Sequence, residues 1–469
     1  MNFNRRTFLQ TSVGAGLLTA AGPWWTSTLA APKTQYDFED YRALVCVLFA
    51  GGMDSFNLLI PYDNDEYDAY KDLRSDLAYL KNDDQLLELS RYHTDRRFAV
   101  PWIAPELRDL FNAGELSFIA NVGPLVKHMN REQFLDVSLD KPLNLESHSD
   151  QIAQWQSASS LLPLAQQNVG WLGKIADRFG NTLPNDLNMN WSLSGNNQAQ
   201  TGTSTTPLVV MDPHNDRGFE ELWEENWYPQ KASAHRDYER RINPEHYENL
   251  LQQAYISKLK AAMRDNERAV EDFTDGLEGL DTEFDDHPWA LSLKRIAQVI
   301  SAHSTIDARR QTFFVNMGGW DHHEDLHENF EQIQTVSRAF KSFRDALDEV
   351  DLLDNVVLFT TSDFGRTLTS NGGGSDHGWG GNAMVLGGPI RGERVLGTYP
   401  EMSLDNKPES QLSNTDRGNF IPTTSLEEYF SELAIWFGLD VEDLELILPN
   451  VQNFIPEDSD RPEKVGIVA

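Results

Sequence analysis

The sequence predicts an α/β fold, a single large and mainly parallel sheet sandwiched between helices. Three observations predict it. Residues 43–50, 116–122, 207–211, 312–317, 356–361 and 383–386 are apolar runs without alternation, as strands buried on both faces require. Between them lie helical patterns at 105–112, 149–158, 172–179, 245–272, 288–303, 325–350 and 425–437, and strands that alternate with helices form covered parallel sheets. The 40% hydrophobic fraction, with 24 Phe, 13 Tyr and 12 Trp, supplies the core.

Charge and cysteine content narrow the function. Across 469 residues, 39 Lys+Arg stand against 73 Asp+Glu, a formal charge of −34. That balance excludes a duplex nucleic-acid binder or a docker onto anionic lipid, since both need a basic face. The single cysteine, Cys46, excludes an internal disulfide, a Cys-rich zinc site and an iron–sulfur cluster, and its apolar surroundings predict a buried structural thiol. No G-x-S-x-G elbow or G-x-x-x-x-G-K-[ST] loop is present, and no G-x-G-x-x-G follows a strand beyond the N-terminal segment.

The first thirty residues read as an address. Arg5-Arg6 precedes Phe8-Leu9 and a short apolar stretch at 13–21, which resembles a twin-arginine export signal. Thr28-Leu29-Ala30 offers the small residues of a cleavage site, so the mature chain is expected to start at Ala31. The expected organisation is a signal peptide over 1–30 and one α/β domain over 31–469, with a polar and acidic excursion at about 181–245. No further apolar segment reaches the length that spans a bilayer, about 20 residues. The mature protein is therefore expected in the periplasm or outside the cell, without a transmembrane segment.

In an open α/β sheet the ligand sits beyond the carboxyl ends of the strands. The first run ends in Gly51-Gly52-Met53-Asp54, the run at 312–317 in Gly318-Gly319-Trp320-Asp321-His322-His323, and the run at 356–361 in Ser362-Asp363-Phe364-Gly365-Arg366. A glycine-rich loop adds Asp376-His377-Gly378. Asp54, Asp321, His323, Asp363 and His377 are the candidate metal ligands. Carboxylate and imidazole without thiolate suit Zn²⁺, or alternatively Mn²⁺, Mg²⁺ or Ca²⁺. Ser147 is the candidate nucleophile, with His148 beside it, at the start of a helix whose N-terminus favours an anion. Arg366 is placed either to bind an anionic substrate or to neutralise a carboxylate. His323-Glu324-Asp325-Leu326-His327 also matches the H-E-x-x-H zinc protease motif, which needs both histidines inside one formed helix, whereas His323 follows a strand closely.

Taken in order, the twin-arginine leader, Leu48–Asp54, Glu146-Ser147-His148, Trp-Ser-Leu-Ser-Gly-Asn-Asn197, Gly-Gly-Trp-Asp321-His-His323, Ser-Asp363-Phe-Gly-Arg366-Thr and Asp376-His377-Gly378 resemble the exported bacterial family known as domain of unknown function 1501. That family in turn resembles the alkaline phosphatase and sulfatase superfamily. The resemblance implies Asp54 as a first-strand metal carboxylate, Ser147 as the nucleophile, Asp321 and His323 as a metal-binding pair, Asp363 as a later carboxylate and His377 as the final histidine. Phe364 stands where alkaline phosphatases carry a ligating histidine, and Asp363 where relatives carry Glu, which implies one weakened or lost metal position. The implied function is metal-dependent hydrolysis of phosphate or sulfate esters, on a small anionic ester or an envelope polymer. The alternative is a non-catalytic descendant that binds an envelope glycan or protein. Oligomeric state is left open.

Overall fold

A computed structural model describes residues 36–90, 96–180, 188–209, 280–324, 327–402 and 417–469, with isolated positions between 249 and 260. The expected export segment at 1–30, most of the acidic excursion and most of the helical pattern at 245–272 lie outside the described residues. Among those described, no helix is long and apolar enough to cross a membrane.

The central sheet is built on β1 (Arg42–Phe49), whose residues are almost all buried. Two short strands, β2 (Ile60–Pro61) and β3 (Leu86–Glu88), pair with β4 (Phe98–Pro101) in a separate small sheet. The main sheet continues with β5 (Leu116–Gly123), β6 (Asn190–Ser192), β7 (Leu208–Val209), β8 (Arg310–Asn316), β9 (Val356–Ser362), β10 (Gly381–Leu386), β11 (Val395–Leu396) and β12 (Thr424–Ser425). Its order is β11-β5-β10-β9-β1-β8-β6-β7, with β12 also on β5. Only β10 runs antiparallel to its neighbours. The sheet is thus mainly parallel, as the unalternating apolar runs predict.

Alternate side chains of β1 enter two cores. Ala43, Val45, Val47 and Phe49 pack with the helices Pro105–Asn112, Pro288–Ser301 and His327–Glu349, while Leu44, Cys46 and Leu48 pack with Trp171–Phe179 and Leu426–Phe437. Helices therefore cover both faces, and Cys46 is buried among them. Burial pushes its thiol up to about 12, which leaves it inert at neutral pH.

Three details differ from the sequence reading. The polar stretch around 190, expected as part of an excursion, contributes β6, where the Asn190 side chain is sealed by Gln200 and Thr312. The small sheet escapes periodicity because its strands are two to four residues long. The helix α1 (Asn64–Arg74) is also unforeseen; its polar outer face hides the buried Tyr67, Tyr70 and Arg74.

Candidate metal centre

The neighbouring strands β8, β1 and β9 all end at one rim, and close backbone contacts lock their exits together. Gly319 and Trp320 donate N–H bonds to Ala50 O at 3.0 and 3.1 Å. Gly51 has φ +115°, and a Cβ there would lie 2.6 Å from Asp321 N. Only glycine lets these two turns approach so closely. Behind β9, the segment 365–367 pairs with 376–379 through Gly365 N to Trp379 O, Gly378 N to Gly365 O and Thr367 N to Asp376 O. Arg366 and His377 face one another across that bridge.

A helix, α2 (His148–Ser157), brings the fourth contribution. The turn before it holds Asn144 and Glu146 at φ +49° and +69°, a conformation uncommon for residues with a Cβ. It aims the Glu146 carbonyl at His377, whose Nδ1 lies 2.8 Å from it.

The side chains converge as follows. His148 Nδ1 lies 2.6 Å from Asp363 Oδ2, and its Nε2 lies 3.5 Å from Asp321 Oδ2. His377 Nε2 lies 3.3 Å from Asp321 Oδ1. His323 Nε2 lies 3.0 Å from the same oxygen and 2.9 Å from His377 Nε2, while its Nδ1 faces Asp376 Oδ1 at 3.5 Å. Among the described residues, His148, Asp321 and His377 form a group whose ligand atoms all lie within 4.8 Å of one another. Each of the three imidazoles has its Nδ1 on an oxygen acceptor and its Nε2 turned inward. This is how metal-binding histidines are oriented, with the outer nitrogen fixing the tautomer.

Electrostatics suit a cation. Partial burial pushes the Asp321 carboxyl up, but the Arg366 guanidinium, His323 and His148 outweigh it and hold the group below its ordinary range. Burial lowers the His377 imidazole, which keeps it neutral and able to donate a lone pair. Asp363 is fully buried, and burial raises its carboxyl while the His148 contact and the Gly51 amide oppose the rise. The Phe364 ring packs 4.8 Å from His148 and 4.5 Å from His377, a dry wall that fixes both imidazoles.

The sequence candidates divide into three sets. His148, Asp321, His323 and His377 come together. Asp363 and Arg366 stand directly behind them, on His148 and Asp321. Asp54 is not in the cluster: it is buried and paired with Arg74, whose guanidinium also donates to Thr367 O. Ser147 precedes α2 with its hydroxyl on Asp150 Oδ2 at 2.6 Å and makes no capping bond. Glu324 is exposed, and His323 and Glu324 lie in a bend outside the helix His327–Glu349, so His323 and His327 do not share a formed helix. Sequence reading missed Asp376, Glu146 and Phe364 as supports. The adjacency Asp376-His377 was the one available signal; a backbone carbonyl from position 146 leaves none.

Residues 196–416 match the model of a family described as protein of unknown function (DUF1501). No curated protein matches the chain. Among solved structures, the lipoteichoic acid synthase LtaP from Listeria monocytogenes is similar at 8% identity and TM-score 0.32, covering 81% of this chain and 74% of that one. Ps i-CgsB is similar at 10% identity and TM-score 0.36, covering 88% and 77%. Its complex with k-i-k-neocarrahexaose gives 9% identity and TM-score 0.34 over the same shares.

Proposed function

We propose, from the match of residues 196–416 to the DUF1501 family model, that this chain is an exported, metal-dependent hydrolase of phosphate or sulfate esters. The observation that carries the reading is the convergence of three inward Nε2 atoms on one carboxylate, each imidazole anchored from behind. His148, Asp321 and His377 would hold the ion, with His323 beside them as a further candidate ligand. Imidazole nitrogens with a carboxylate oxygen fit Zn²⁺ better than Mg²⁺ or Ca²⁺, which take oxygen ligands. When bound, the ion would supply a Lewis acid next to the reacting ester.

The chain's own groups account for the remaining steps. Ser147 lies at the N-terminus of α2, where amide N–H groups and the helix dipole attract an anionic ester. Its hydroxyl oxygen attacks the phosphorus or sulfur, its proton passes to Asp150 Oδ2, and the alcohol leaves and takes a proton from solvent. Water then attacks the phosphorus or sulfur of the seryl ester and gives a proton to solvent, the bond to Ser147 Oγ breaks, Oγ takes back the proton held by Asp150 Oδ2, and inorganic phosphate or sulfate is released. Arg366 and Asp363 hold Asp321 and His148 in place throughout. The acidic surface repels polyanions within a Debye length of about 8–10 Å, so short or singly charged esters are favoured.

A panel of phosphomonoesters, phosphodiesters and sulfate esters, run with and without chelator, tests the proposal. Turnover lost on chelation and in Ser147→Ala supports it. Turnover of none of them by zinc-loaded protein contradicts it. Cleavage after Ala30 in cells tests export.

A further inference from the structure

Beside the candidate ligands lies a second polar hollow, and it is filled. Arg366 is 2% exposed, and the carboxylate that it meets, Asp321, lies at the partly exposed rim. Its Nε donates to Gly52 O at 2.7 Å and its Nη1 to Ser375 O at 3.0 Å. Its Nη2 meets Gly51 O at 2.6 Å, Trp320 O at 3.0 Å and Asp321 Oδ1 at 2.6 Å. Four backbone carbonyls and one carboxylate oxygen, drawn from three separate turns, thus surround one cationic group. Converging carbonyls and a carboxylate are the donor set that binds a hard cation. The Phe364 ring closes the hollow below Gly52, where an added Cβ would come within 2.4 Å of the ring. Arg74 performs the parallel service for Asp54 and also donates to the carbonyls of Thr367 and Leu368.

We infer that Arg366 is a built-in cation occupying an oxygen-lined cation position, so that the centre takes one metal ion and not two. The inference rests on the proposed metal centre for the first ion, and on Arg366 alone for the second position. Arg366 is accordingly a positioning residue: its planar fork spans Asp321 and four carbonyls at once, which a lysine ammonium does not do. Its role is to orient Asp321, with substrate bound elsewhere.

Metal stoichiometry and thermal unfolding of wild type and Arg366→Ala, measured with Zn²⁺, Ca²⁺ and guanidinium ion at low millimolar concentration, test it. Wild type is expected to take up one Zn²⁺ and no Ca²⁺. Arg366→Ala is expected to melt lower, to bind one Ca²⁺, and to regain at least about 2 °C with Ca²⁺ or guanidinium at concentrations that leave wild type unchanged. Two metal equivalents in wild type, or a folded variant that responds to neither cation, overturns the inference. Wild type without metal would instead sink the proposed function, while rescue of Arg366→Ala would still report on the hollow. Should Arg366→Ala fail to fold, Arg366→Lys and the wild-type stoichiometry decide.

Discussion

The Nε2 atoms of His323 and His377 lie 2.9 Å apart. Their Nδ1 atoms face Asp376 and the Glu146 carbonyl. The two Nε2 atoms meet beside Asp321 Oδ1, at a point where a cation or a shared proton would satisfy all three. Replacing either histidine by alanine is expected to weaken zinc binding by more than about 100-fold, beyond what loss of a supporting residue costs. Competition with a chromophoric chelator checks this.

Asp363 supports His148 from a fully buried position. Asp363→Asn keeps the shape and removes the charge, so the fold should persist while metal affinity falls by about 10–100-fold. An unchanged affinity would remove Asp363 from the centre.

Ser147 does not cap its helix, although Ser425, in a comparable S-x-x-[DE] pattern, forms a full capping box with Glu428. Ser147→Ala should therefore leave stability within about 0.5 kcal/mol of wild type. It should retain metal and abolish ester turnover, which steady-state kinetics and metal analysis measure together.

Gly51 and Gly114 both have positive φ, but only Gly51 meets backbone atoms within 3 Å. Gly114→Ala should cost about 1–2 kcal/mol through conformation alone. Gly51→Ala should cost more and also weaken metal binding, because its Cβ displaces the backbone of Trp320 and Asp321. Chemical denaturation paired with zinc titration separates the two effects.

Glu427 lies wholly within the core, and burial pushes its carboxyl up to about 8. The folded state thus binds a proton that the unfolded chain gives up near 4.5. The resulting stability is complete below about 4.5 and is lost as pH rises toward 8. Glu427→Gln should match wild type at pH 4.5 and melt higher at pH 8, as calorimetry across that range would show.

Much of this architecture is legible in the sequence because parallel strands buried on both faces leave unbroken apolar runs, and turns at their ends expose the polar residues that follow. Asp321, His323 and His377 stand out for that reason. What stays hidden is pairing at long range. Nothing near Asp54 announces Arg74, which reaches it from the end of an unforeseen helix. Nothing beside Arg366 announces that carbonyls from positions 51, 52, 320 and 375 will surround it. His148 is marked only by its neighbour Ser147; its place beside Asp321 depends on the left-handed turn at Glu146.

Elemental analysis of the purified protein, alongside a His323→Ala/His377→Ala double variant, tests the metal centre most directly. One tightly held divalent ion per wild-type chain, absent from the folded double variant, is the predicted result. Substoichiometric metal in wild type after zinc loading, or equal metal in both proteins, would contradict it.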